Sequence, residues 1–167
     1  MSVLVLGDSH LARVGPTLVA QLPDATVRAF GGAVATDFVA QADGLDLAAY
    51  DVVVVSIGTN DAGWRDVPLD VFTREVEDLL SRVPGRVVLV TSPGADEVRA
   101  PSWSNAKLAE FATSAATRVN AAGGTVIDTP SLLAPLGADA FLDDGFHLTA
   151  AAYDLLIPVL ATVASTA

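Results

Sequence analysis

Residues 3–10 read Val3-Leu4-Val5-Leu6-Gly7-Asp8-Ser9-His10, and the architecture can be worked out from them. Four apolar residues, two of them β-branched, run straight into Gly-Asp-Ser, and apolar residues then recur at helical spacing from Leu11. That is the profile of a buried parallel strand ending in a sharp turn that opens a helix. In open α/β sheets such turns carry their side chains to the carboxyl edge, where ligands bind. This turn carries a hydroxyl, Ser9. Asp8 and Ser9 are also good helix caps, so capping alone accounts for the stretch unless partners for the hydroxyl lie elsewhere.

Outward from this stretch, Leu11, Val14, Leu18 and Leu22 predict a helix from about His10 to Gln21 that stops before Pro23. Thr26–Phe30 is a short strand leading into Gly31-Gly32. Val52–Ile57 is a strong strand with the apolar continuity of one buried on both faces, and it ends in Gly58-Thr59-Asn60-Asp61. After a loop holding Trp64 and Arg65, Pro68 opens a helix with Leu69, Phe72, Val76, Leu79 and Val83 inward. Arg86–Val90 is a fourth strand. Thr91–Ser104, the longest stretch without regular structure, contains Trp103. A helix then turns Leu108, Phe111, Ala115 and Val119 inward, Thr125–Ile127 is a fifth strand, and a last helix starts at Thr149 with a kink or break expected at Pro158. The alternation predicts a doubly wound three-layer α/β/α domain over residues 1–167, with a five-stranded parallel sheet in the order 2-1-3-4-5. The switch point then falls between strands one and three, so Ser9 and Asn60 face each other across a crevice.

Composition narrows the function. The 167 residues are 51% hydrophobic, enough for a substantial core, and carry a net charge of −11 with Lys107 the single lysine. Nucleic-acid binding needs a cationic footprint and is excluded on that ground, as is an anionic membrane surface. With no cysteine there is no disulfide, thiol nucleophile or thiolate metal site. No apolar run reaches membrane-span length, and the first strand follows Met1-Ser2 directly, so a cytoplasmic protein is expected.

A serine nucleophile needs a base. His10 adjoins Ser9, and neighbouring side chains at a turn into a helix diverge. His147 is better placed. It lies in Asp143-Asp144-Gly145-Phe146-His147-Leu148, after strand five and so at the same sheet edge. Asp144 precedes it by three residues, and a tight turn at Gly145 lets the carboxylate fold back to fix the imidazole tautomer. Acyl transfer also needs donors for a developing oxyanion. The candidates are the backbone N–H of Ser9, that of Gly32 and the side-chain amide of Asn60. Gly31 is the alternative in the second block.

Gly7-Asp8-Ser9, Gly32, Gly58-Thr59-Asn60-Asp61 and Asp144-Gly145-Phe146-His147 together resemble, in order and over nearly the whole chain, the four sequence blocks of the SGNH (GDSL-type) hydrolases. The resemblance implies a flavodoxin-like fold and serine-dependent ester hydrolysis, with no metal or cofactor. Ser9 would be nucleophile and oxyanion donor, Gly32 and Asn60 the other donors, His147 the base and Asp144 its partner. Gly32 is preferred to Gly31 because Ala33 and Thr36-Asp37 fit the family's spacing. His10 stands where the family usually has leucine, which would make the local pocket more polar.

Other readings compete. A phosphoacceptor receiver domain shares the strand order but needs a lysine after strand five, and Lys107 lies in the preceding helix. Neither glycine-rich phosphate loop occurs. An acyltransferase to a sugar or alcohol would use the same residues, and a non-catalytic ligand-binding module would use the same crevice. Trp64 and Trp103 are expected to rim the substrate pocket, Arg65 and Arg99 to meet an acidic substrate group, and Asp8 and Asp61 to tie the two loops together. Short loops predict a shallow groove suited to small or accessible acyl esters, carbohydrate esters among them.

Overall fold

The computed structural model describes residues 1–166. Its strands are β1 (Val3–Gly7), β2 (Ala25–Val27), β3 (Val52–Ser56), β4 (Arg86–Val90) and β5 (Thr125–Ile127). They form one parallel sheet in the order β2-β1-β3-β4-β5, as the sequence predicts. The helices are α1 (Ser9–Ala12), α2 (Gly15–Gln21), α3 (Phe38–Gln41), α4 (Thr59–Ala62), α5 (Leu69–Arg82), α6 (Asn105–Ala121), α7 (Thr129–Leu133) and α8 (Ala150–Ser165).

Side chains alternate across a strand, so each strand serves two cores. Leu4, Leu6, Val53, Val55, Val87 and Leu89 pack against Phe38, Phe72 and Phe111, from α3, α5 and α6. Val3, Val5, Val52, Val54, Val88 and Val90 pack on the opposite face against Leu11, Leu18, Leu133, Leu156 and Leu160, from α1, α2, α7 and α8. A parallel sheet covered on both sides explains why β1 and β3 read as unbroken apolar runs.

Four local features depart from the sequence reading. The helix expected over residues 10–21 is two helices, α1 and α2, because Pro16 lacks an N–H for the Ala12 carbonyl and its ring would collide with it. α8 instead runs unbroken through Pro158, which lies on the solvent-facing side beside exposed Asp154 and Leu155. The chain between β2 and β3 holds only α3 and two single 3-10 turns. After β5 come α7 and a 3-10 stretch over Ala134–Ala140, which no strong apolar period announces.

The carboxyl edge is organised around Gly7. It has φ +133°, and a Cβ there would collide with the Ser56 carbonyl oxygen. The Gln41 side chain clamps the same residue, accepting from the Gly7 N–H and donating to the Gly7 carbonyl, both at 2.8 Å. That carbonyl also accepts from the Phe30 N–H at 3.1 Å, extending the pairing beyond β2 and bringing Gly31-Gly32 to the carboxyl edge. Gly7→Ala combines a left-handed φ with a backbone collision and is expected to cost more than ~3 kcal/mol, read as a shift in the denaturant unfolding midpoint.

Candidate active site

Three loops meet at the carboxyl edge of β1, β3 and β5. Ser9 opens α1, whose N-cap Asp8 accepts from the His10 N–H at 3.0 Å. The Ser9 Oγ lies 3.1 Å from Nε2 of His147. The other ring nitrogen of His147, Nδ1, lies 2.7 Å from Oδ2 of Asp144. The remaining Asp144 oxygen accepts from the backbone N–H of Phe146 at 3.1 Å and of His147 at 3.0 Å, which is the tight turn expected around Gly145. Burial alone would raise the Asp144 carboxyl, but the hydrogen bonds from the His147 ring and from these two amides outweigh it and hold the group below the usual carboxylate range.

Facing this chain across the crevice, Asn60 sits in α4 with its amide nitrogen donating to the Ala33 carbonyl at 3.0 Å. Its amide oxygen accepts from the Trp64 indole at 3.0 Å. Asp61 accepts from the N–H groups of Ala35 at 2.8 Å and Gly58 at 3.1 Å, and so ties the loop after β2 to the loop after β3. Asp8 does not join in this tie. One of its oxygens serves only His10 within its own turn, and the other is buried without a partner.

Ser9, Gly31, Gly32, Asn60, Trp64 and His147 border a groove of about 500 Å³, together with Arg13 and Phe146. A second, largely apolar cavity of about 390 Å³ between α6 and α7 shares no wall with it. Trp103 is not among the groove residues. It packs against Gly63, donates to the Thr59 carbonyl at 3.1 Å, and stacks at 4.3 Å on Phe146, whose ring lies 4.1 Å from that of His147. Trp103 therefore stands one layer behind the site, supporting the imidazole through Phe146. Sequence reasoning passed over Phe146, although it lies inside the same block as His147.

The arginines also separate. Arg99 is consumed by the fold: it pairs with Asp96 and donates to the carbonyls of Ala138, Phe141 and Leu142, while the Asp96 N–H donates to the Gly145 carbonyl at 2.7 Å. Together these contacts brace the turn that carries Asp144 and His147. Arg65 lies 4.7 Å over the Trp64 ring. His10 faces inward, 1% exposed, with both ring nitrogens unpartnered. Burial, aided by the nearby His147 and Arg13, pushes its pKa down to about 3, so it is a neutral packing group and adds no polarity to the groove. Among the described residues no cluster of three or more His, Asp or Glu is placed to hold a metal ion, and no helix is long and apolar enough to cross a membrane.

The parallel sheet in the order β2-β1-β3-β4-β5, covered by helices on both faces, is a three-layer α/β/α architecture with a serine, a histidine and a carboxylate in hydrogen-bonding series at its carboxyl edge. The chain belongs to the GDSL-like lipase/acylhydrolase family, whose model matches residues 5–155. Solved structures share the fold. A lipase/acylhydrolase from Enterococcus faecalis superposes with a TM-score of 0.83 at 22% identity, covering 97% of this chain and 94% of that one. TesA does so with 0.76 at 18%, covering 99% and 98%. A peptidoglycan O-acetylesterase gives 0.66 at 17%, over 86% of this chain and 48% of that one. A search of curated protein sequences returns no match.

The buried acids make stability depend on pH. Burial, chiefly, raises Asp8 to about 7, against the His10 N–H bond that lowers it, and raises Asp61 to about 6 against its amide bonds. Each carboxyl binds its proton more tightly in the fold than in the unfolded chain, so both favour the fold below about pH 4, and that contribution is lost as pH rises towards 7. Asp8→Asn is expected to melt higher than the parent above pH 7 and to flatten the decline of melting temperature across that window.

Proposed function

We propose that the protein is a serine-dependent hydrolase of carboxylic esters working through an acyl-enzyme. The observation that carries this reading is the continuous hydrogen-bonded series from Asp144 through His147 to Ser9. An ionised Asp144 accepting from Nδ1 leaves the Nε2 lone pair facing the Ser9 hydroxyl. In the reaction the Ser9 oxygen bonds to the ester carbonyl carbon while its proton passes to Nε2. The carbonyl electrons move onto oxygen, and that oxyanion is met by the backbone N–H groups of Ser9 and Gly32 and by the Asn60 amide. Its collapse breaks the ester C–O bond, and the departing alkoxide takes the proton from Nε2. Water then repeats the sequence on the acyl-enzyme and restores Ser9.

The shallow, open groove favours small or accessible acyl groups, and the exposed face of Trp64 offers a surface for the alcohol or sugar part of the substrate. A panel of chromogenic esters graded by acyl length, with acetylated sugars included, tests the assignment. Ser9→Ala is expected to abolish turnover across the panel, and retention of most activity would overturn the reading. Asn60→Ala is expected to lower kcat by roughly 10²–10³, the usual effect of losing one oxyanion donor. His10→Ala is expected to act on stability rather than on the rate constant, and loss of turnover at unchanged fold would move the base to His10.

A further inference from the structure

We infer that Trp64 is a positioning residue for catalysis: its indole N–H fixes which end of the Asn60 amide faces the reacting carbonyl. The inference rests on the reading of Asn60 as an oxyanion donor.

Asparagine carries a built-in ambiguity. The two ends of its amide are nearly equal in size, yet one carries two N–H donors and the other only accepts. An oxyanion site works with the nitrogen turned inward and is inverted by a half-turn of the amide, which would set a lone pair against the developing charge. Packing cannot distinguish the two orientations, but hydrogen-bond partners can. The Ala33 carbonyl can only accept, and it takes one hydrogen of Nδ2 at 3.0 Å. The Trp64 indole nitrogen can only donate, and it is spent on Oδ1 at 3.0 Å. An acceptor-only group at one end and a donor-only group at the other leave a single satisfied orientation. Asn60 is buried, so the reversed amide would oppose oxygen to oxygen and N–H to N–H where water could not relieve it. In the orientation present, the second hydrogen on Nδ2 is not engaged by the protein and is available to the groove that Asn60 borders.

Two further features make Trp64 a device of the site. It is 56% exposed, so burial of its ring does little to explain its position. Its ring edge also lies over the second donor loop, 3.6 Å from where a Gly32 Cβ would stand. Trp64 follows Asn60 by four residues, one helical turn on, so the backbone of α4 and its C-terminal turn bring the indole back over the amide.

The test is a double-mutant cycle on a short neutral ester such as 4-nitrophenyl acetate, using the parent, Trp64→Phe, Asn60→Ala and the double variant. Trp64→Phe keeps an aromatic ring and removes the donor. It is expected to lower kcat roughly three- to tenfold, the value of one neutral hydrogen bond, with KM nearly unchanged. In the Asn60→Ala background it is expected to lower kcat no further. A boronic acid that forms a tetrahedral adduct should lose affinity for Trp64→Phe in parallel with kcat, while the carboxylic acid product should not. Additive losses in the double variant, or a rise in KM at unchanged kcat, would leave Trp64 acting on the substrate alone, not through Asn60, and overturn the inference. Parent-like kcat in Trp64→Phe would overturn it too. Parent-like kcat in Asn60→Ala would instead remove the oxyanion reading beneath it.

Discussion

The site depends on a close approach between two backbones. Strands β1 and β3 run side by side to their last residues because Gly7 presents no side chain to the Ser56 carbonyl, and the Asp8 N–H closes on that carbonyl at 3.0 Å. Any separation there would widen the gap between the serine turn and the asparagine turn, whose proximity makes the crevice. Gln41 holds Gly7 from the side, at both its N–H and its carbonyl, so three hydrogen bonds fix the turn into α1. The geometry of Ser9 follows from the sheet, and loop flexibility has little part in it.

Around that point polar groups divide into those that hold and those that are held. Asp61 holds, spending both oxygens on backbone amides of two loops. Asp8 is tolerated at a cost: it caps α1 with one oxygen and buries the other unpartnered beside a neutral, equally unpartnered His10. Sites of this kind commonly accumulate polar groups that the fold would be more stable without. Here the uncompensated burial lies directly beneath the serine, where Tyr153 of α8 also donates to the His10 carbonyl at 3.1 Å and pins the turn from below.

Much of this was legible in the chain itself. The apolar runs of β1 and β3 announce a parallel sheet covered on both faces, and the alternation with helices yields the strand order. The spacing of Asp144 and His147 about Gly145 foretells a carboxylate folded back on its imidazole, and the structure brings both to Ser9. What escaped the reading depends on partners that no local pattern reveals. Gln41 meets Gly7 across 34 residues. Arg99 looks like a free surface cation until the carbonyls of residues 138–142 are seen around it. Trp64 and Trp103 are alike as exposed-loop tryptophans in sequence, and only tertiary packing sends one to the groove and the other behind Phe146. The break before Pro16 was available from the residues, but the apolar period of Leu11, Val14 and Leu18 overrode it. Pro158 carried the opposite error, since a proline on the wet side of a long amphipathic helix need not interrupt it.

The brace from Arg99 and Asp96 has a consequence for how this protein can vary. The imidazole stands on a turn whose outer side is held by the segment after β4, so that segment works as a buttress for a part of the chain that comes some forty residues later. Trimming or recasting it to reshape the groove would loosen the histidine at the same time. The asparagine side is held from the same region, since Trp103 donates to the Thr59 carbonyl and packs against Gly63. Change in what the groove admits is cheaper at Gly31, where an added Cβ meets no atom within 4 Å, than at Gly145, where it would run into Arg99 and Ala100.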